Sequence, residues 1–361
     1  MTSASGTPIP RRPTDVTSGW LSAALSARGE PVKVSDVDVV AIGTGQTGAT
    51  YRIAATYASD RPNLPETFVI KLPAQDDTVR DRVTLGYRSE VAFYARVAQH
   101  TAVPTPECFY CDITDDGGDF ALLLADMAPA VQGNQLAGCT PQEARLAVTA
   151  LAGLHGPSWC DPAWLDLTGV AMPKPGDEPG AKGLGDVARI SAEITLDKLG
   201  TQVSPADRET LTAAMSLVTP WLLAEPGRYS LMHGDYRLDN MLFDPAVSRV
   251  TIVDWQTMGI GLPARDLSYF AATSLVPETR AAIEGQLVDD YHRALSTYGI
   301  ADYDRDMCWR DYRMGMLQAP LITSLGFAFA ASTERGDEMV AVMLRRGCQA
   351  IRDVRTLELL G

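Results

Sequence analysis

Residues 231–255 read Leu-Met-His-Gly-Asp-Tyr-Arg-Leu-Asp-Asn-Met-Leu-Phe-Asp-Pro-Ala-Val-Ser-Arg-Val-Thr-Ile-Val-Asp-Trp, and most of the interpretation depends on this stretch. It begins with a polar turn, bounded by apolar residues, that holds Asp235 and Asn240. Two short apolar runs follow, separated by a turn, and they predict a two-stranded β-ribbon. The predicted strands are 241–243 and 250–253. Because Asp254 follows the second strand directly, we expect Asp235, Asn240 and Asp254 to converge at one edge of the ribbon.

Three oxygen-bearing side chains in one place suit phosphoryl transfer. Mg²⁺ prefers oxygen ligands and binds through a few carboxylates or amides together with nucleotide phosphates. A further carboxylate must lie near the acceptor hydroxyl, to orient it and to take its proton. We therefore assign Asp235 as the base and Asn240 and Asp254 as metal ligands. Arg237, two residues after the base, is assigned to neutralise charge that develops on the γ-phosphoryl group.

Three other polar side chains of the stretch have plainer interpretations. His233 is interpreted as a brace that hydrogen-bonds the backbone near Asp254. Asp239 and Asp244 are interpreted as solvated or turn-capping carboxylates.

Gly43, Gly45 and Gly48 form a Gly-x-Gly-x-x-Gly pattern, which kinase nucleotide loops and Rossmann dinucleotide sites share. In both, the missing side chains let the backbone approach phosphates. A Rossmann loop must open a helix, whereas Ala-Thr-Tyr-Arg-Ile-Ala-Ala-Thr-Tyr, rich in β-branched and aromatic residues, follows Gly48. We therefore expect a strand–loop–strand flap over nucleotide phosphates. The alternatives are an ordinary hairpin turn and a Rossmann-type oxidoreductase.

Lys71 is one of five lysines and ends a predicted strand, with apolar neighbours on both sides. A half-buried lysine needs an anionic partner. Glu90 is the candidate, because it lies between Tyr87 and Tyr94 at helical spacing and so beside an apolar stripe. A strand lysine paired with a helix glutamate is how protein kinases hold the α- and β-phosphates. The alternative is two unrelated surface charges.

The motif His-Gly-Asp-x-x-x-x-Asn at 233–240, followed by Val-Asp-Trp, resembles the aminoglycoside phosphotransferase and choline kinase superfamily, which has a protein-kinase-like fold. The tail Asp-Trp-Gln-x-x-Gly-x-Gly-x-Pro-x-x-Asp-Leu-Ser-Tyr, at 254–269, resembles the ecdysteroid kinase-like branch. The resemblance implies ATP and Mg²⁺ as cofactors. The protein-kinase signatures His-Arg-Asp, Asp-Phe-Gly and Ala-Pro-Glu are absent from the sequence, which argues against a protein substrate.

The resemblance also implies roles outside this stretch. Asp266 would be a structural acid at a helix start that ties down the metal loop, and His155 would be structural. The segment Leu-Leu-Leu-Ala-Asp-Met-Ala-Pro at 122–129 resembles the hinge of the family. It implies that the backbone of Asp126 and Met127 binds the adenine edge.

Hydrophobic periodicity predicts a small β-rich lobe followed by a larger helical lobe. The resemblance implies that the two form an α+β, bilobal protein-kinase-like fold. We expect an N-terminal nucleotide-binding lobe at 1–125, a small antiparallel sheet with one helix, in which 1–15 is a flexible lead-in. A mainly helical C-terminal lobe at 126–361 would carry the catalytic loop and the substrate site. The predicted elements are strands at 37–42, 49–57, 67–72, 107–113 and 120–125, and helices at 79–99, 141–154, 186–199, 205–223, 263–274, 278–298, 303–329 (with a break at Pro320) and 334–358. The Pro/Gly-rich stretch 172–185 is predicted to be a loop, and a candidate lid.

Composition narrows the class of protein. The chain has 361 residues and a formal net charge of −14, and such an acidic protein repels a nucleic-acid backbone. No apolar run approaches the roughly 20 residues that span a bilayer, and the N-terminus lacks the apolar core of a secretory signal. We therefore expect a cytoplasmic protein with no nucleic-acid or membrane partner. The oligomeric state is left open.

Cys108 and Cys111 form a Cys-x-x-Cys pattern in a predicted strand. Positions three apart on a strand point to opposite faces, and neither a second Cys-x-x-Cys nor a nearby His completes a zinc set. We expect them to be free thiols.

These features together predict a phosphotransferase that moves the γ-phosphoryl group of ATP to a hydroxyl of a small-molecule acceptor. The alternative is a non-catalytic nucleotide-binding protein of kinase-like fold, and GTP in place of ATP stays open. Acidic residues at 302–311 would attract a cationic sugar such as an aminoglycoside, or else form a solvated face. An apolar set would line a pocket for a sterol-like alcohol, or else belong to the core. That set is Trp309, Tyr312, Met314, Met316, Phe327 and Phe329.

Overall fold

The computed structural model describes residues 6–42, 48–59, 63–170, 172–329 and 333–360, without the side chains of 77–79, 81 and 82. The chain forms two compact units. Unit 1 comprises Met1–Gln99, Thr105–Ala128 and Asp254–Gln256, and unit 2 comprises His100–Pro104, Pro129–Val253 and Thr257–Gly361. The segment Asp254–Gln256 thus belongs to the unit that holds the N-terminal part of the chain, although it lies far along the sequence.

Unit 1 contains a five-stranded antiparallel sheet with the strand order β1-β2-β3-β5-β4. Its strands are β1 Val34–Ala41, β2 Gly48–Tyr57, β3 Thr67–Pro73, β4 Cys108–Ile113 and β5 Phe120–Ala125. Each predicted strand of the first lobe is present within a few residues of its expected bounds. β5 is buried on both faces, because its residues contribute alternately to two apolar clusters.

Two helices contribute to those clusters. α1, Ser18–Ser26, packs with Trp20, Leu21 and Leu25 against side chains of one face of the sheet. α2, Asp77–Ala92, packs with Tyr87 and Val91 against side chains of the other face. The helical run continues through a π-turn at Phe93–Val97, so the predicted helix at 79–99 is confirmed with a change of winding.

The lead-in predicted to be flexible at 1–15 makes several contacts where the structure describes it, and its flexibility stays a prediction. Trp20 Nε1 donates to Pro8 O at 2.9 Å, Tyr110 OH donates to Thr7 O at 3.3 Å, and Arg11 pairs with Asp119 at 2.8 Å. Helix α1 was not predicted. Its signal was Thr17, whose side chain accepts the Trp20 amide hydrogen as an N-cap.

The expected opposite orientation of Cys108 and Cys111 is wrong. A register shift between Cys108 and Tyr110 interrupts the alternation of β4, and both cysteines pack against the cluster on the α2 side of the sheet. They are free thiols, as expected. A hydrogen bond with Cys108, together with burial, raises the pKa of the Cys111 thiol, which makes it a poor nucleophile.

Unit 2 is mainly helical. Its α-helices are α3 Pro141–His155, α4 Glu178–Leu199, α5 Pro205–Ser216, α6 Val218–Leu223, α7 Ala264–Ser274, α8 Pro277–Ser296, α9 Arg305–Gly315, α10 Gln318–Phe329 and α11 Glu334–Asp353. α3 begins with the predicted capping box, since Thr140 Oγ1 accepts the Glu143 amide hydrogen and Glu143 accepts that of Thr140.

Three helix predictions in unit 2 are wrong. The helix predicted at 205–223 forms two helices, α5 and α6, which Leu217 separates. The helix predicted at 186–199 begins eight residues earlier, because Asp177 caps it and Pro179 lies in its first turn, so the loop predicted at 172–185 ends at the cap. The break predicted at Pro320 falls instead between α9 and α10, before Gln318. Pro320 is the third residue of α10, where a missing N–H costs no hydrogen bond.

Two small antiparallel sheets complete unit 2. The first joins β6 Val131–Gln132, β8 Met241–Phe243 and β9 Val250–Ile252, and it contains the predicted ribbon. The second joins β7 Ser230–Met232 and β10 Gly259–Gly261. Among the described residues of both units, no helix is long and apolar enough to cross a membrane.

Candidate active site

The loop between β7 and β8, residues 233–240, carries the residues predicted to be catalytic. Gly234 has a φ of 83°, and a Cβ at this position would collide with the Thr257 carbonyl oxygen, so only glycine fits. The loop closes with a turn of 3₁₀-helix at Leu238–Asn240.

The Asp235 carboxylate is surrounded by donors. Tyr269 OH donates to Oδ1 at 2.5 Å and Asn240 Nδ2 donates to Oδ2 at 3.0 Å. Arg237 Nε lies 3.1 Å from Oδ1 and 3.0 Å from Oδ2. Three donors thus fix the position of a half-buried carboxylate, as a positioned general base requires.

The Asn240 amide has a defined orientation. Its Nδ2 donates both to Asp235 O at 2.8 Å and to Asp235 Oδ2 at 3.0 Å, which accounts for both of its hydrogens. No hydrogen bond reaches its Oδ1 from the part of the chain that the structure describes. An oxygen is the ligand that Mg²⁺ prefers, so the side chain fits its predicted role as a metal ligand.

Arg237 joins two carboxylates. Besides Asp235, it binds Asp239, whose Oδ2 accepts from Nη1 at 2.9 Å. Burial alone would lower the pKa of Arg237, but Asp235, Tyr269 and Asp239 together outweigh it and hold the pKa above its usual range. The Asp239 side chain is only 10% exposed, so the expectation of a solvated or turn-capping carboxylate is wrong for it. Asp244 does cap a turn, accepting the amide hydrogens of Ser248 and Arg249.

The start of the loop is held by a buried acid. Asp266 accepts the amide hydrogens of His233 at 2.6 Å and Gly234 at 2.9 Å. His233 Nε2 lies 3.1 Å from Val253 O, which is the predicted brace. His155 lies behind Asp266, at 3.4 Å, and bonds Tyr291 OH through Nδ1. Asp266 therefore ties down the start of the loop at 233–240, and its implied role of tying down the metal loop stays a prediction.

Unit 1 holds a second cluster of charges. The predicted pair is present, with Lys71 Nζ 2.6 Å from Glu90 Oε1 and 3.7 Å from Asp254 Oδ1. Glu90 is fully buried and the Lys71 side chain is 14% exposed. Burial works to lower the pKa of Lys71, but the charges of Asp254 and Glu90 outweigh it and raise the pKa. The ammonium therefore stays charged, which its predicted role as a phosphate ligand requires.

The segment that carries Asp254 is packed against helix α2. Trp255 stacks on Phe93 with ring centroids 3.5 Å apart, and Ser89 Oγ donates to Trp255 O at 2.9 Å. Gln256 Nε2 donates to Glu90 Oε2 at 3.4 Å. Asp254 itself has a φ of 68°, a left-handed conformation that aspartate tolerates better than most residues.

The glycine pattern is covered only in part. Gly43 and Gly45 lie outside the described residues. Gly48 begins β2, so the segment after the glycines is a strand. A Rossmann site requires a helix there, and the oxidoreductase alternative is therefore excluded.

The predicted hinge follows β5. The Asp126 carboxylate binds Arg52 at 2.7 Å and accepts the Ala128 amide hydrogen at 3.1 Å. Burial raises the pKa of Asp126, but these two donors outweigh it and hold the pKa below its usual range. Adenine binding by the backbone of Asp126 and Met127 stays a prediction.

The structure brings the predicted site residues together in two groups. Asp235, Arg237 and Asn240 are in contact within unit 2, and Lys71, Glu90 and Asp254 are grouped within unit 1. The convergence of Asp254 with Asp235 and Asn240 stays a prediction. No group of three or more His, Cys, Asp or Glu that could hold a metal occurs among the described side chains. The predicted Mg²⁺ site would therefore depend on the Asn240 amide oxygen and on oxygens of the bound nucleotide, in addition to the Asp254 carboxylate.

Sequence reasoning missed two residues of these groups, Tyr269 and Gln256. Tyr269 lies three positions after Asp266, which places both on one face of a helix. That spacing was the signal available for it. Gln256 follows the predicted metal ligand by two positions, and we find no sequence signal for its bond to Glu90.

The acidic candidates at 302–306 are exposed, as a solvated face requires, but Asp311 is not. Asp311 is buried and makes two bonds to Arg228, and Asp304 caps α9. Burial raises the pKa of Asp311, against the effect of Arg228. Four of the six apolar candidates lie in the core, while Trp309 is partly exposed and Phe329 is exposed. The core members are Tyr312, Met314, Met316 and Phe327.

The chain has the protein-kinase-like fold, because it is similar over most of its length to solved kinases with that fold. A microcompartment-associated aminopropanol kinase is similar with a TM-score of 0.56 and 16% identity, covering 90% of this chain and 94% of that one. The GDP complex of aminoglycoside 2′-phosphotransferase-IIIa is similar with a TM-score of 0.51 and 15% identity, covering 92% and 98%. The sequence profile of the phosphotransferase enzyme family (APH) matches residues 38–306, and the chain belongs to this family.

Curated relatives match shorter stretches. The human acyl-CoA dehydrogenase family member 11 is 37% identical over 71 residues, covering 18% of this chain and 9% of that protein. Its Gallus gallus counterpart is 26% identical over 175 residues, covering 46% and 20%. The chain thus spans a fifth or less of the length of these relatives. The α+β kinase-like fold and the superfamily are confirmed, and the ecdysteroid kinase-like branch stays a prediction.

Proposed function

We propose that the protein transfers the γ-phosphoryl group of ATP to a hydroxyl of a small molecule, with Asp235 as the base. The observation that carries the proposal is the contact of Asp235 with Asn240. A carboxylate fixed by three donors lies beside an amide whose oxygen is left for a cation. Membership of the phosphotransferase family supports it.

In the proposed reaction the acceptor oxygen attacks the γ-phosphorus, and the bond from that phosphorus to the β–γ bridging oxygen breaks. ADP leaves, and the proton of the acceptor hydroxyl passes to Asp235. Arg237, whose described bonds use Nε and Nη1, offers its Nη2 hydrogens to the phosphoryl oxygens. Mg²⁺, held by Asn240 and Asp254, would neutralise charge on the nucleotide phosphates.

Nucleotide binding is assigned to unit 1. The Lys71 ammonium, held by Glu90, binds phosphate oxygens, and the backbone of Gly43, Gly45 and Gly48 covers them. The backbone of Asp126 and Met127 binds the base. GTP is the competing nucleotide, because one similar structure is a GDP complex.

Three acceptor classes follow from the proteins that this chain resembles. The similar structures are named for aminopropanol and aminoglycosides, which are hydroxylated amines. The curated relatives are named for acyl-CoA, so hydroxylated acyl-CoA thioesters are the third candidate acceptor class. Sterol-like alcohols form a fourth class, suggested by the branch resemblance.

The test is a nucleotide-consumption screen of these four classes with ATP or GTP and Mg²⁺, for the wild type, Asp235→Ala and Asp244→Ala. Asp244 is the matched control, since it is a carboxylate of the same segment that only caps a turn. We expect acceptor-dependent consumption that Asp235→Ala abolishes and Asp244→Ala leaves unchanged. Normal turnover by Asp235→Ala would refute the base assignment. Nucleotide binding without transfer to any acceptor would favour the non-catalytic alternative.

A further inference from the structure

Helix α7 presents two side chains to the catalytic loop from the same face. Asp266 and Tyr269 are three residues apart, the spacing of neighbours on a helix surface. Asp266 accepts the amide hydrogens of His233 and Gly234, and Tyr269 OH reaches Asp235. One helix face therefore holds three consecutive loop residues.

Tyr269 has little freedom to leave this position. It is 1% exposed, and every residue of α7 is buried. The helix is anchored by Ser268, whose hydroxyl donates to Tyr312 O at 2.6 Å, and by Arg265, whose guanidinium lies 4.0 Å over the Trp221 ring. The phenol is thus held by a rigid element, which is a requirement for precise positioning.

The direction of the Tyr269 hydrogen bond follows from its environment. Burial raises the pKa of the phenol well above its ordinary value, and the neighbouring Asp235 charge raises it further. The hydroxyl therefore keeps its proton and donates. A donor–acceptor distance of 2.5 Å is typical of a short, charge-assisted O–H···O⁻ bond.

We propose that Tyr269 is the positioning residue of the base: its hydroxyl fixes the rotation of the Asp235 carboxylate so that one lone pair stays directed at the acceptor hydroxyl. This inference rests on the proposed function. A carboxylate has about four lone-pair sites. Three hydrogens meet these sites: Tyr269 donates one to Oδ1, Asn240 donates one to Oδ2, and Arg237 Nε shares one between both oxygens. Acceptor capacity for a fourth hydrogen is left to take the proton.

Removal of the hydroxyl leaves Arg237 and Asn240 in contact with Asp235, so the loop keeps its fold. The carboxylate loses the shorter of the two bonds to Oδ1, keeps only the bond that Arg237 shares between both oxygens there, and can turn about its Cβ–Cγ bond. Misplacement of a reacting group by about 1 Å can cost about 100-fold in rate. The loss is therefore expected in kcat, while acceptor and nucleotide binding persist.

The experiment compares Tyr269→Phe with Tyr312→Phe and the wild type. Tyr312 is the matched control, because it is a buried tyrosine whose hydroxyl donates to a carboxylate, Glu284 at 3.0 Å, away from the loop. For Tyr269→Phe we expect kcat to fall about 10- to 100-fold with acceptor KM and nucleotide Kd within about twofold of wild type. Tyr312→Phe should lose a similar amount of thermal stability and keep its kcat. An unchanged kcat in Tyr269→Phe, or an equal fall in both variants, overturns the inference.

A crystal structure of Tyr269→Phe gives a readout that needs no turnover. The inference requires the Asp235 carboxylate to be rotated or spread over several orientations, and an unmoved carboxylate overturns it. If the wild type phosphorylates no acceptor, the proposed function fails and this structure alone decides the role of Tyr269.

Discussion

At the scale of single residues, Lys71 and Glu90 show that a buried charge needs a partner of opposite charge. Glu90 has no exposed surface, and its carboxylate is compensated by Lys71 at 2.6 Å and by Gln256 at 3.4 Å. Removing one partner of a buried ion pair leaves the other charge uncompensated, which costs more than the pair itself contributes.

We expect Glu90→Gln to lower the free energy of unfolding by about 3 kcal/mol, because Lys71 keeps only the more distant Asp254. Urea denaturation measures the loss. Glu107→Gln is the matched control, since its pair with Arg28 is exposed on both sides and is worth about 0–1 kcal/mol. Equal losses in the two variants would show that the Lys71–Glu90 pair is not buried in solution.

Asp266 is a second residue whose two oxygens are both committed. We expect Asp266→Asn to cost about 1–3 kcal/mol, because an amide has one acceptor oxygen and would turn an NH₂ group toward an N–H donor. Hydrogen exchange at His233 and Gly234 should accelerate as their amide hydrogens lose a partner. Asp177→Asn is the control, since asparagine caps a helix as well as aspartate does. Unchanged exchange at both amides would contradict the assignment.

Much of the residue-scale chemistry was readable from the sequence, because the residues involved lie close together along it. Asp235, Arg237 and Asn240 lie within six positions, and the brace by His233 was expected. Tyr269 was missed because its contact with Asp235 spans 34 positions and depends on where α7 packs.

At the scale of elements, close packing of α7 and α9 depends on one small residue. A Cβ on Gly315 would lie 2.8 Å from Ala264 O and would also collide with the Ser268 side chain. Gly326, in α10, faces open space: beyond its own helix backbone and chain neighbours, no heavy atom of the described residues lies within 4 Å of the place that a Cβ would take. Substituting alanine at these two glycines therefore distinguishes the effect of packing, at Gly315, from the effect of helix propensity, at Gly326.

We expect Gly315→Ala to destabilise the protein by about 1–3 kcal/mol through overpacking. Gly326→Ala should stabilise it by about 0.5–1 kcal/mol, because alanine lowers the entropy cost of the helix. Thermal and urea unfolding of both variants check the opposite signs. A stabilising Gly315→Ala would mean that α9 can shift away from α7 at little cost.

Elements with strong periodicity were predictable, and those set by tertiary contacts were not. β5 was predicted with its observed bounds, because its apolar run is bounded by turn residues. The start of α4 was missed because glycine-rich composition indicated a loop, although Gly185 allows close approach to Thr219 of α6. The predicted orientation of Cys108 was wrong because a register shift in a strand cannot be read from the alternation of apolar and polar residues in the sequence.

At the scale of the whole molecule, nucleotide binding should raise the free energy of unfolding. With nucleotide at 100 times its Kd, linkage stabilises the bound state by about 2.7 kcal/mol. We expect ATP with Mg²⁺ to raise the Tm and EDTA to remove most of that rise. Differential scanning fluorimetry measures both.

Two variants sharpen this measurement. Asp254→Asn loses the charge but tolerates the left-handed backbone, so it should lose the Mg²⁺-dependent part of the rise. Asp235→Asn should keep it. A full rise in Asp254→Asn would remove residue 254 from the metal site.

The stacking of Trp255 on Phe93 ties the predicted metal ligand to the helix that carries Glu90. Because Ser89 Oγ also donates to the Trp255 carbonyl, two contacts join the residue after Asp254 to this helical segment. A displacement of α2 would pull the glutamate from Lys71 and carry Asp254 along in the same movement. Moving that helix would therefore affect the predicted phosphate-binding lysine and the predicted metal ligand together.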